Sequence, residues 1–143
     1  MPRMAAKKKS PPKKLEERHG RYGCGAVEFT VRGPVSDVIW CHCSKCRRFH
    51  GGPGAYVNLP RGAISFQQRE GLAWWDAAPT IQRGFCRTCG SSLFFSDSNQ
   101  GELSIAAGAL DAPTGLKGRL HIFVGSKPDW YVLKDGLKQL DEV

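Results

Sequence analysis

The chain has 143 residues, 41% of them hydrophobic, and 21 Lys+Arg stand against 13 Asp+Glu for a net charge of +8. That length suits one domain, and that hydrophobic fraction supports a real core, which excludes a wholly disordered chain. No apolar run approaches the ~18 residues of a membrane span, and the first twenty residues lack the apolar stretch of a secretory signal.

Residues 1–18 carry seven basic and two acidic residues, so +5 of the charge lies there and +3 in the remainder. With Pro2, Pro11 and Pro12 and few large apolar residues, residues 1–19 are expected to form a disordered basic tail. The body is expected to run over 20–143. Strand formers recur in Ala26–Val31, Val35–Cys41 and Ala55–Leu59, the last closed by Pro60. Ile64–Phe66, Leu72–Trp75, Thr80–Phe85, Ser92–Phe95, Leu103–Ala107 and Arg119–Val124 follow. A helical turn is expected after Cys43 and another around Pro128–Val132. Many short strands at close spacing indicate a mainly β, sandwich- or barrel-like body. The Trp74-Trp75 pair reads as core or pocket wall rather than a base-stacking platform.

The six cysteines are grouped. Cys41, Cys43 and Cys46 form C-x-C-x2-C, Cys86 and Cys89 form C-x2-C before Gly90, and Cys24 precedes Gly25. Such spacing lets sulfurs converge on one ion from a tight turn, with glycine relieving the backbone. The geometry of C-x-C suits a disulfide poorly, so the cysteines are expected as thiolates in a reducing compartment. One four-cysteine metal would leave two sulfurs idle. Two sites of three would each leave a position for another ligand, the pattern of a catalytic zinc. Cys41, Cys43 and Cys46 would share one ion, and Cys24, Cys86 and Cys89 another. An open thiolate site favours a soft guest such as a substrate thiol.

Lys45, Arg47 and Arg48 are candidates to pair with a ligand's carboxylates, or they offset the thiolate charge. His50 is placed to line the pocket, and His19 to reach the second site. His42 is expected to point away from the metal, and His121 to be a satisfied strand histidine. Asp97, Asp111 and Asp135 are candidates for proton transfer, with a turn role favoured for Asp135-Gly136.

Taken in order, Cys24-Gly25-Ala26-Val27, Cys41-His42-Cys43-Ser44-Lys45-Cys46-Arg47, Phe85-Cys86-Arg87-Thr88-Cys89-Gly90-Ser91 and His121-Ile122-Phe123-Val124-Gly125-Ser126-Lys127 form a pattern, with Trp130 and Asp135-Gly136-Leu137 beyond it. It resembles the glutathione-dependent formaldehyde-activating enzyme family, which includes centromere protein V, over about residues 20–140. The resemblance implies a fold of coiled β-sheets (the β-tent type) with two zinc sites. Cys41, Cys43 and Cys46 would be ligands of the catalytic zinc, and Cys24, Cys86 and Cys89 of a structural one. It implies a carbon–sulfur lyase of the S-(hydroxymethyl)glutathione synthase kind, joining a glutathione-like thiol to formaldehyde or a related small aldehyde. One departure stands out. The family's first motif is C-x-C-G, but Tyr22 occupies the first cysteine's place here. The structural site would then keep three cysteines and take a fourth ligand such as water or His19, bind zinc weakly, or stay empty.

Two other functions compete with the enzyme. One is a non-catalytic zinc-containing glutathione-binding or adaptor module. The other is polyanion binding, including nucleic acid, through the basic tail alone. The location implied is cytoplasmic, or nuclear in a eukaryote through the tail.

Overall fold

The computed structural model describes residues 16–143. The basic run of residues 1–15, on which the tail and polyanion readings rest, lies outside the described residues. The first strand, β1 (Glu17–Arg21), lies mostly within the stretch assigned to the tail. Its apolar content is low because it is an edge strand, held by backbone pairing to β2 (Glu28–Arg32), with Glu17 opposite Arg32 and Arg21 opposite Glu28. The folded body therefore begins before residue 20.

The chain then gives β3 (Val38–Cys41), helix α1 (Ser44–His50), β4 (Gly54–Pro60), β5 (Ile64–Gln68), β6 (Leu72–Ala78) and β7 (Ile81–Cys86). It ends with β8 (Ser92–Asp97), β9 (Glu102–Ala106), β10 (Gly118–Ile122) and the short β11 (Lys138–Gln139). The molecule is mainly β. A three-stranded sheet has the order β1-β2-β5, and an eight-stranded sheet the order β11-β10-β3-β4-β9-β8-β7-β6. Neighbours are antiparallel except that β10 runs parallel to both β3 and β11.

Two expected elements differ. The strand over Arg119–Val124 stops at Ile122, because Phe123 takes a left-handed conformation (φ 55°) that leads into a 3-10 turn at Val124–Ser126. Around Pro128 there is a single turn closed by Tyr131 N–H on the Pro128 carbonyl at 3.2 Å, not a helix.

Alternation along the central strands gives the large sheet two working faces. Val57 and Leu59 of β4, Phe94 of β8 and Ile105 of β9 face the small sheet, where they bury Phe29 and Val31 of β2. Phe29, Phe66 and Phe94 form an aromatic cluster with ring centroids 5.5–6.2 Å apart. On the opposite face Tyr56 and Phe95 pack with Cys41 and Cys46. Helix α1 lies on that second face.

Candidate metal centre and its surroundings

Cys41 ends β3, directly opposite Gly54 at the start of β4. Cys43 is the N-cap of α1, and its Sγ accepts the Cys46 N–H at 3.2 Å. A cap both starts the helix and points its sulfur at backbone donors. The helix closes after two turns at Gly51, whose φ of 80° suits glycine and whose N–H meets the Arg47 carbonyl. The result gathers Cys41, Cys43 and Cys46 with all three sulfurs within 4.8 Å of one another. Cys41 and Cys46 are buried and Cys43 is half-buried. The hydrogen bond from the Cys41 side chain, then that from Cys46, holds the Cys43 thiol far below its ordinary value, while that same contact pushes Cys41 up. Cys43 is the sulfur best prepared to be a thiolate.

Below the triad lies Arg83 of β7, only 3% exposed. Its guanidinium sits between the Phe49 and Phe95 rings, 5.2 and 5.1 Å from their centroids. Nη2 donates to Cys46 Sγ at 3.6 Å and Nη1 to Tyr56 Oη at 3.4 Å. Burial alone would lower Arg83, but the Cys46 sulfur beside it turns the net shift upward. A buried cation needs a negative partner, and the sulfur cluster beside Arg83 is the group placed to supply it. Thiolate donors with a buried counter-charge fit a soft divalent metal.

His50 and Phe49 follow Cys46 at helix spacing, so α1 turns all three to the sheet. His50 Nδ1 meets Ser92 Oγ at 2.8 Å, and His50 Nε2 pairs with Tyr56 Oη. Tyr56 is pushed up by burial, and His50 is held down to about 4 from 6.5 by burial and then by the Arg83 charge. The unfolded chain thus takes up this proton first as pH falls. His50 removes stability as pH drops from about 6.5 to about 4 and costs nothing above that window. In His50→Gln this part of the acid-unfolding profile is expected to flatten. Superimposable urea midpoints for the two proteins across the window would show the assignment to be wrong.

The three candidate basic residues stand at the rim. Lys45 and Arg48 are exposed, and Arg47 is half-buried with its Nε lacking a hydrogen-bond partner among the described residues. None of the three has an acidic partner within ion-pair distance among the described residues. Trp74 and Trp75 form pocket wall. With Phe49, Phe85, Gly90 and Ser92 they line an open cavity of about 470 Å³.

His42 does face away from the sulfurs. It is 1% exposed, and its Nε2 meets His121 Nδ1 at 2.8 Å. His121 Nε2 in turn meets Asp135 Oδ2 at 2.7 Å. His121 is therefore a satisfied strand histidine, and Asp135 both caps its turn through the Leu137 N–H and anchors the pair. Asp97 serves a turn, accepting the Asn99 N–H, and Asp111 is exposed.

The second triad gathers Cys24, Cys86 and Cys89 within the same 4.8 Å limit. Tyr22 Oη donates to the Ser92 carbonyl. His19 is turned elsewhere, with Nδ1 on Thr30 Oγ1 at 3.1 Å and Nε2 near Glu17, so it does not join these sulfurs. Sequence reasoning missed Arg83, Tyr56 and Phe49. Arg83 had one visible signal, a charge at an inward position of an alternating strand.

The glutathione-dependent formaldehyde-activating enzyme family model matches residues 17–126. A Halomonas elongata protein, named provisionally as a glutathione-dependent formaldehyde-activating enzyme, is 32% identical over 121 residues, covering 78% of this chain and 77% of its own. An uncharacterized lyase of Schizosaccharomyces pombe is 23% identical over 133 residues, 90% of this chain and 96% of its own. The crystal structure of a Rhodobacter sphaeroides protein superimposes with a TM-score of 0.56 at 26% identity, covering 68% of this chain and 91% of that one. The matched span holds both cysteine triads and the strands that carry them, and by that match the chain belongs to the glutathione-dependent formaldehyde-activating enzyme family.

Proposed function

We propose that Cys41, Cys43 and Cys46 hold Zn2+ and that the protein joins a glutathione-type thiol to formaldehyde or a related small aldehyde, or runs the reverse carbon–sulfur lyase reaction. The observation that carries this reading is Arg83, a buried cation donating to a cysteine sulfur in a three-sulfur cluster. It makes sense only if the cluster is anionic. When bound, the zinc supplies thiol deprotonation and orientation. Lys45, Arg47 and Arg48 take the thiol's carboxylates at the rim. Tyr56 Oη donates to His50 Nε2 and accepts from Arg83, so His50 keeps its proton on Nδ1 toward Ser92. That string fixes the floor of the site before substrate arrives, which is where positioning gains originate. The coiled, tent-type description fits a large sheet folded over a small one, and free thiols suit the cytoplasm.

Formaldehyde and glutathione combine without a catalyst, so the test is an excess rate. Zinc-loaded wild type is expected to form the adduct faster than buffer, and Cys43→Ser to return it to the uncatalysed rate with one zinc fewer per chain. Equal rates for the two proteins would overturn the enzyme. Calorimetric glutathione binding with no excess rate would identify a binding module instead.

A further inference from the structure

At Cys24, Cys86 and Cys89, where the family resemblance implies a structural zinc, we infer that the fourth coordination position is filled from outside the chain, so that a soft divalent cation held there can take an external small thiol. Three features carry this. The first is the donor set. Cys24 Sγ lies 3.5 Å from Cys86 Sγ, and the Ala26 N–H points at Cys24 Sγ, also at 3.5 Å. The sulfurs come from two tight turns, each continued by a left-handed glycine, Gly25 at φ 72° and Gly90 at φ 78°. This is a knuckle geometry of the sort that surrounds a thiolate-bound ion.

The second is the missing ligand. A closed thiolate site needs four donors, and the residue standing at the fourth place is Tyr22. Its hydroxyl is spent on the Ser92 carbonyl, and its ring packs against the main core. His19 is bound to Thr30 and Glu17. Among the described residues no other His, Cys, Asp or Glu joins the cluster. The described residues therefore offer three donors and no candidate for the fourth.

The third is access. Cys24 and Cys89 are exposed, whereas Cys41 and Cys46 of the other triad are buried. A Cβ built on Gly25 or Gly90 would meet nothing within 4 Å, so the space beside both knuckles is open. Gly90 also borders the aromatic cavity. Three thiolates on a divalent cation leave one vacant, soft-preferring position facing solvent. A small thiol satisfies that preference better than water does.

The test uses the full chain loaded with Co2+, whose visible and charge-transfer absorption reports thiolate coordination, and 2-mercaptoethanol as the external thiol. Wild type is expected to hold two Co2+ per chain and Cys89→Ser one. Adding 2-mercaptoethanol should change the wild-type spectrum by about twice as much as that of Tyr22→Cys, because the new sulfur closes the second site and leaves the first alone. Tyr22→Phe keeps the ring in the core and should match wild type in both metal count and thiol response. A Co2+ count that Cys89→Ser does not lower would overturn the proposal. So would a thiol response unchanged in Tyr22→Cys, or one enlarged in Tyr22→Phe, since either would mean that the chain supplies the fourth ligand itself. These readouts do not involve adduct formation, so the enzyme reading and this one stand or fall separately.

Discussion

Arg83→Met is expected to destabilise the zinc-loaded protein by about 3–5 kcal/mol, the usual cost of leaving one partner of a buried ion pair uncompensated. Methionine fills a similar volume between the Phe49 and Phe95 rings, so little of the loss would come from a cavity. What goes is the charge opposite Cys46 and the donor to Tyr56 Oη. The metal should also be held less tightly, because three thiols without that counter-charge resist full deprotonation. Urea unfolding of the zinc-loaded protein measures the first effect, and competition with a chromophoric chelator the second. Arg83→Lys separates charge from geometry. Lysine keeps the charge but lacks the planar fork that reaches sulfur and hydroxyl together, so its loss should fall between methionine and wild type. A methionine variant as stable and as tightly metallated as wild type would mean that Arg83 is not the counter-charge the sulfurs depend on.

His121→Phe should be the other costly change. His42, buried and placed between Cys41 and Cys43 in sequence, would keep an Nε2–H with nothing to receive it. A buried donor stripped of its acceptor costs about 1–3 kcal/mol. Phenylalanine preserves the packing on Trp40, whose ring stacks on His121 with centroids 6.1 Å apart. Asp135→Asn should cost much less, because that side chain is 45% exposed and the asparagine carbonyl can still accept. The ordering of the two variants in chemical unfolding is the check. If they are equal, the hydrogen-bond chain does not act through His42.

The cysteine spacing made both triads legible, because a short motif dictates which sulfurs can meet. The strand list was also mostly legible, since Val57, Leu59 and Ile105 sit in runs that alternate with polar residues. β1 was not, because an edge strand gains its stability from pairing rather than from its own apolar content. Arg83 was hard to see because its partners, Cys46 and Tyr56, lie 37 and 27 residues away. Nothing local marks a charge that a distant sulfur will neutralise. The place of Tyr22 beside the second triad was readable from its motif, but the carbonyl that occupies its hydroxyl belongs to Ser92, 70 residues on.

The two faces of the eight-stranded sheet have a mechanical consequence. Strands β4, β7 and β8 are at once floor for Tyr56, Arg83 and Phe95 and lid for the aromatic core. The floor cannot open by itself, because lifting β4 or β8 exposes Val57, Leu59 or Phe94 on the far side, and lifting β7 exposes Cys86. Its breathing is tied to unfolding of the whole body. Freedom to admit and release a ligand would therefore come from above the sheet, from the half-exposed Trp75 that leans on Phe49, since α1 is tied to the sheet through Cys46 and His50. The site is a rigid base with a small movable rim.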